Sequence, residues 1–339
     1  MNGLNHMDLP VDGKISSVER ALELIGDDLE KVDQEFRKNL SSAVPIISAI
    51  GEHLLFSGGK RFRPILLLLS ARLCGYREDR HICMASLVEF IHTATLLHDD
   101  VVDKAELRRG KVSANSKWGN EASVLVGDFL FAKSFSIAVE NGNWRVFQTL
   151  SRAITLMAEG ELDELTRTDN LSQTEETYLS IIARKTASLM SAATQVGAIL
   201  GNVSGAKEKA LSDFGLDVGM AFQLIDDNLD YTSKEEEFGK EIGIDLQRGK
   251  ITLPLIHALR HCTREERLFI QQALELSPLT KEAFFQVVEI IGRYNGIHYT
   301  LDKAKEYVDR AKRHLHLFPD SKEKEAFSLL ADYVLERRL

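Results

Sequence analysis

Apolar side chains recur every three to four residues along most of the chain. Between Ile15 and about Leu40 the positions Val18, Leu22, Leu24, Ile25, Leu29, Val32 and Phe36 trace one face of an amphipathic helix. A shorter helix is predicted over Ala43–Leu55, ending at Phe56-Ser57-Gly58-Gly59. Pro64 suits the first turn of a third helix, from Ile65 to about Leu73, which Cys74-Gly75-Tyr76 closes. Another runs from about Asp79 through an acidic cluster near residue 100. Further helices are predicted near Ser116–Glu140, from Trp144 to about Leu165, and over Tyr178–Leu200 and Lys207–Tyr231. Beyond Lys250 the helical pattern continues to Leu339, with turns at Ser277-Pro278, Tyr294–Gly296 and Phe318–Asp320.

No stretch alternates apolar and polar residues as a half-buried strand would. The six prolines leave the interval from Pro64 to Pro254 free for long helices. No composition shift marks a linker, so the expectation is an all-α fold with one domain over residues 14–339 and a disordered tail at 1–13. The segment Thr232–Lys250 is charged and carries Gly239, Gly243 and Gly249. A loop of that length in a helical domain reads as an active-site flap.

Composition narrows the partners. The 339 residues are 44% hydrophobic and 27% charged, enough for a large core. A formal net charge of −9 argues against nucleic acid, which requires a basic field, but leaves small phosphorylated ligands open. Cys74, Cys83 and Cys262 have no metal-type or CxxC spacing and read as reduced thiols. The polar segment Met1–Lys14 has no apolar region of a secretory signal, and a cytoplasmic location is expected. The apolar runs Ile65–Leu69 and Ala187–Gly201 are too short or too polar for a spanning helix, so none is expected.

The acidic cluster is His92-Thr93-Ala94-Thr95-Leu96-Leu97-His98-Asp99-Asp100-Val101-Val102-Asp103. On a helix, Asp99 and Asp103 stand one turn apart with Asp100 beside Asp103. Such like charges oppose the helix unless a cation sits on them, and Mg²⁺ takes carboxylate oxygens while sharing its shell with substrate phosphates. The pattern repeats in Phe222-Gln223-Leu224-Ile225-Asp226-Asp227-Asn228-Leu229-Asp230. A solvated acidic face would mix Lys and Glu among these acids, whereas the neighbours are Leu, Ile and Val. Two carboxylate triads imply Mg²⁺ on a diphosphate, which also needs direct cationic contacts. Lys60, Arg61 and Arg63 follow Gly58-Gly59 at a helix entrance, and Arg108 and Arg109 follow Asp103 closely enough to fold back over it. Each group alone could be solvated surface. His92, two turns before Asp99, is either structural or a donor to phosphate. Gln223 offers a neutral dipole beside Asp226. Lys185, with Thr186, lies in a helix of small apolar residues and needs an anion or solvent; Lys240 and Lys250 belong to the charged loop.

Together Gly58-Gly59-Lys60-Arg61-Phe62-Arg63-Pro64, the Asp99–Asp103 motif with Arg108-Arg109-Gly110, and Asp226–Asp230 with Tyr231 resemble, in order and spacing, the signatures of the trans-isoprenyl diphosphate synthases. The likeness covers residues 15–339, and Glu89–Asp128 is most similar to the long-chain, octaprenyl-type branch that makes quinone side chains. The resemblance implies an isoprenoid-synthase-type helical bundle around a deep central cavity, usually a homodimer. It implies head-to-tail condensation of isopentenyl diphosphate with an allylic diphosphate to a product near C40, with at most peripheral membrane contact for product release. By matching positions, Asp99, Asp103, Asp226 and Asp230, helped by Asp100 and Asp227, would hold Mg²⁺. Arg108, Lys185, Thr186, Gln223, Lys240 and Lys250 would serve the allylic end, and Lys60, Arg63, His92 and Arg109 isopentenyl diphosphate, with Arg61 in the same basic run. Val112-Ser113 stands where the family often has Pro-Thr.

Product length is expected to depend on the helical stripe Leu87, Ile91 and Ala94 below the first motif, where the small Ala94 leaves room. Phe129, Phe131 or Phe135 could supply a deeper floor, or be ordinary core aromatics. A short-chain synthase and a non-catalytic subunit of a heteromeric synthase are the alternatives. A di-iron bundle is suggested by Glu78-x-x-His81 and Glu89-x-x-His92, but these stand only eleven residues apart.

Overall fold

A computed structural model describes residues 17–55, 61–108, 110–140, 143–168, 170–232, 243–276 and 278–337. Its first helices are α1 (Ser17–Leu40), α2 (Pro45–Leu55), α3 (Phe62–Leu73) and α4 (Arg80–Val102), followed by α5 (Ala114–Trp118), α6 (Asn120–Glu140), α7 (Trp144–Leu165) and α8 (Glu175–Ile182). A π-helical turn (Ala183–Ala187) joins α8 to α9 (Ser188–Leu200), and α10 (Gly205–Thr232) follows. The remainder is α11 (Ile244–Gln247), α12 (Leu253–His261), α13 (Arg264–Leu274), α14 (Lys281–Arg293), α15 (Gly296–His314) and α16 (Lys322–Glu336). The fold is all-α, as the periodicity predicts.

Three details depart from that reading. The helix expected near Ser116–Glu140 is two, α5 and α6, because Gly119 takes φ 91°, a backbone conformation closed to most side chains. Two-residue strands β1 (Leu107–Arg108) and β2 (Lys111–Val112) pair antiparallel around Gly110 at φ 71°. A ladder that short has no legible alternation. Helix α6 is also long and apolar enough to cross a membrane by length and composition, a property hidden in the sequence by its many Ala, Ser and Gly residues.

The chain divides into two compact units. The first is Met1–Ile154 with Leu189–Gly215 and His314–Tyr333. Within it α4 packs most extensively on α6, then on α1 and α3. Ile65 to Leu69 of α3 are essentially inaccessible, each worth about 1.5–3 kcal/mol relative to exposure. Phe36 stacks on Phe90 at 4.3 Å between centroids, and Phe214 meets Phe327 edge-on at 4.9 Å. Ser70 Oγ donates to the Thr194 carbonyl at 2.6 Å, so a buried hydroxyl is satisfied.

The second unit is Thr155–Ser188, Leu216–Arg313 and Val334–Leu339. Here α12 packs on α14 and α8, and Tyr231 stacks on Phe284 at 6.3 Å. Asp217, buried on α10, accepts from Arg310 Nε of α15 at 2.8 Å. Gly160 of α7 has a packing reason: a Cβ there would lie 2.7 Å from the Lys185 backbone nitrogen. Only glycine lets α7 approach the π-helical turn so closely. That turn inserts one residue into the helical ladder, a device common at functional sites.

Candidate active site

In the first unit the functional candidates lie on α3, α4 and the short hairpin. Arg63 Nη1 donates to His92 Nε2 at 3.1 Å, bringing together two residues expected to serve one substrate. Asp99 and Asp103 are half-buried, and the Asp103 amide donates to the Asp99 carbonyl at 2.8 Å, which keeps the one-turn spacing. Asp100 is fully buried. Arg108, carried back by the hairpin, grips it through Nε at 2.8 and 2.9 Å and Nη2 at 2.6 Å. This forked pair fixes Asp100 as the anchor of Arg108, whereas Asp99 and Asp103 are more accessible.

Arg61 does not fit the role its neighbours suggest. At φ 48° it starts α3 and sends Nε to Asp33 at 3.1 Å, Nη1 to Glu89 at 3.1 Å and Nη2 to the Leu55 carbonyl at 3.1 Å. Burial alone would lower its pKa, but Glu89 and Asp33 outweigh that and raise it. The guanidinium is a structural rivet. Glu89 and His92 are thereby taken up by arginines and His81 by Asp28 at 3.0 Å, which removes the di-iron pattern. Lys60, Arg109 and Lys240 lie outside the described residues, as do the expected tail and residues 233–242 of the charged segment.

Ala94 is fully buried in a cluster with Phe90, Leu97, Val126 and Leu130, against which Phe129 and Phe131 pack. Phe135 instead approaches Phe147, at 5.9 Å. A Cβ at Gly127 would lie 2.3 Å from His98 Nε2, so the His98 ring of α4 packs directly over the Gly127 backbone of α6.

In the second unit a pocket is lined by Glu164, Tyr178, Lys185, Gln223, Asp227, Asp245 and Lys250, among others. A chain of hydrogen bonds crosses it. Thr186 Oγ1 donates to Gln223 Oε1 at 2.7 Å, Gln223 Nε2 to Asp227 Oδ1 at 2.6 Å, and Tyr178 Oη to Asp227 Oδ2 at 2.5 Å. Lys185 reaches Glu161 and Glu164 at 2.6 Å each, and Lys250 reaches Glu164 at 3.3 Å. Asp226 pairs with Arg337 at 2.7 Å. Asp230 accepts from the backbone amides of Ile244 at 3.1 Å and Asp245 at 3.2 Å, so this motif residue pins the downstream end of the charged segment.

Burial and the neighbouring Asp245 push Asp227 well above the ordinary carboxylate range and Asp230 up to about 8. That excess of buried acid suits a hard divalent cation in donor chemistry. No three His, Cys, Asp or Glu side chains form a ready metal cage among the described residues. Mg²⁺ asks for less, taking one or two carboxylates and completing its shell with water and phosphate.

Glu161, Glu164, Tyr178, Asp245 and Arg337 were not singled out from the sequence. The available signal was Lys185 itself, an ammonium in an apolar helix that demands an anion. Its carboxylates lie more than twenty positions upstream, on a different helix.

Each unit thus carries one aspartate motif and its own arginine or lysine contacts on an all-helical frame. Residues 44–291 match the family described as Polyprenyl synthetase, and the chain belongs to that family. It is similar to the octaprenyl diphosphate synthase of Escherichia coli (strain K12), 40% identical over 95% of this chain and 99% of that one. Among solved structures, a polyprenyl synthase from Caulobacter crescentus CB15, complexed with calcium and isoprenyl diphosphate, superposes with a TM-score of 0.91 at 43% identity, covering 97% of this chain and 100% of that one. A decaprenyl diphosphate synthase from Rhodobacter capsulatus gives 0.90 at 41% identity, over 95% and 99%.

Proposed function

We propose that the chain is a trans-polyprenyl diphosphate synthase that condenses isopentenyl diphosphate with an allylic diphosphate such as farnesyl diphosphate, extending it to a long-chain product near C40 for quinone side chains. The observation that carries this reading is the hydrogen-bonded series Thr186, Gln223, Asp227 and Tyr178 beside Lys185 and Lys250. Lys185, Gln223 and Lys250 of the expected allylic-site residues line one pocket with Asp227 of the second aspartate motif, and Thr186 bonds to Gln223 at its side. The Caulobacter relative, solved with a divalent cation and an isoprenyl diphosphate, supports the same ligand chemistry.

Asp99, Asp103, Asp226 and Asp230 would hold Mg²⁺, which supplies charge neutralisation for a departing diphosphate. Lys185 and Lys250 bind the allylic diphosphate as cations. Gln223 and Thr186 turn their dipoles toward the site where positive charge develops, in a pocket walled by Ile181, Ile182 and Ile251 that limits water. The Tyr178 and Gln223 donors hold the buried Asp227 carboxyl in place. Arg63, held against His92, serves isopentenyl diphosphate, together with Lys60 and Arg109. Arg108 and Lys240 serve the allylic end.

The enzyme is proposed to work as a cytoplasmic homodimer with at most peripheral membrane contact. Helix α6 supports the dimer: it leaves Leu125 67% and Val139 66% exposed on a largely apolar helix.

The test is incubation of purified protein with labelled isopentenyl diphosphate, farnesyl diphosphate and Mg²⁺, followed by chromatography of the dephosphorylated products. A ladder ending near C40 is expected, and Asp99→Ala and Asp226→Ala should each lower turnover at least 100-fold. Condensation unaffected by either substitution would overturn the reading.

A further inference from the structure

We propose that Glu164 is a positioning residue that sets the spacing of the two diphosphate-binding lysines, Lys185 and Lys250, before the allylic substrate arrives. The inference rests on the reading of the pocket given above. A single oxygen, Glu164 Oε2, lies 2.6 Å from Lys185 Nζ and 3.3 Å from Lys250 Nζ. The two ammonium groups are therefore no more than about 6 Å apart. At that distance they repel one another, and a shared carboxylate is what keeps both turned into the pocket.

The helix that carries Glu164 is fixed to the turn that carries Lys185. Gly160 permits backbone contact, Asp163 accepts from Arg184 of the same π-helical turn and from Arg167 Nε, and Glu161 gives Lys185 a second acceptor at 2.6 Å. With α7 so anchored, the Glu164 carboxylate is a fixed point rather than a wandering surface charge. Lys250 comes from the segment after α11, where its amide donates to the Asp245 carbonyl at 2.9 Å. Burial pushes the Glu164 carboxyl up, but Lys185 and Lys250 outweigh that and hold it below its ordinary value, so it is charged at neutral pH.

A competing account makes Glu164 a mere rival of the substrate's phosphate, an anion that substrate must evict. The two accounts differ in sign. Glu164→Gln keeps the shape and removes the charge. If Glu164 positions the lysines, KM for farnesyl diphosphate rises at least tenfold, KM for isopentenyl diphosphate moves less than twofold and kcat falls less than KM rises. Glu164→Asp, with the charge but one methylene less reach, gives an intermediate KM. Should the Gln variant fail to fold, the Asp variant alone decides, by a raised or an unchanged KM. An unchanged or lowered KM for farnesyl diphosphate overturns the proposal. Calorimetric titration with inorganic pyrophosphate in magnesium-free buffer separates this result from the functional reading. If the wild type condenses nothing, that reading fails, yet weaker pyrophosphate binding by Glu164→Gln still upholds the lysine clamp and equal or tighter binding rejects it.

Discussion

At the scale of single residues, the second motif contains a competition. Asp226 is paired with Arg337, whose guanidinium lies 3.9 Å over the Phe222 ring and whose Nη1 is buried with no hydrogen-bond partner. A carboxylate oxygen that accepts from an arginine is less available to a metal, so the guanidinium and Mg²⁺ oppose one another at Asp226. The pair is partly solvated and is worth about 1 kcal/mol, which is roughly fivefold in a binding constant. Arg337→Ala should therefore lower the midpoint of a Mn²⁺ titration followed by electron paramagnetic resonance by about that factor. An unchanged midpoint would remove Asp226 from the metal set. Residues of this kind separate what sequence discloses from what it hides. Asp99, Asp103, Asp226 and Gln223 stand out because they are polar among Leu, Ile and Val. Arg337 does not, because nothing local connects it to a carboxylate 111 positions earlier. The partners of Arg61 are hidden for the same reason: its acids, Asp33 and Glu89, lie 28 residues away on either side.

Between elements, a buried carboxylate ties three helices. Asp28 of α1 accepts from Arg72 of α3 at 2.6 Å and from His81 of α4 at 3.0 Å. Burial raises its pKa, but the hydrogen bonds from His81 and Arg72 outweigh this and bring it below the ordinary value. A depressed carboxyl stabilises the fold above its unfolded pKa of about 3.9 and loses that contribution as pH falls through the folded value. Asp28→Asn should thus cost about 2 kcal/mol at pH 7, the scale of charge-assisted hydrogen bonds, with the deficit shrinking toward pH 3 in thermal melts. A deficit constant across that range would show that packing, not charge, joins these helices. The long helices were legible from period alone, since burying one face writes itself into the sequence. The break at Gly119, the two-residue strands and the π-helical turn were not. Each changes the backbone by a residue or two while the apolar spacing around it hardly changes.

At the scale of the whole molecule the property to test is product length, which the proposed function ties to the space below Asp99 in the first unit. Leu87, Ile91 and Ala94 descend α4 from the motif, each 1% exposed or less. Over those twelve residues the helix runs about 18 Å. Ala94 is the small member, and around it stand Phe90, Leu97 and Leu130 with Phe129 and Phe131 against them. A phenyl ring at Ala94 adds six carbons to a closed cluster less than two turns from Asp99. Such overpacking costs about 1–3 kcal/mol, which a protein of this size tolerates if its neighbours shift. On the proposed function, in which the growing prenyl chain runs down α4 away from its diphosphate, the ring would lie across that path. With farnesyl diphosphate as primer, Ala94→Phe should consequently shift the dominant product from near C40 to C20 or C25 while the first condensation keeps its rate within severalfold, measured by chromatography of dephosphorylated products from the folded variant. A product spectrum that does not shorten would place the floor away from α4, and Phe129→Ala and Phe131→Ala, by lengthening the product, would then locate it on α6.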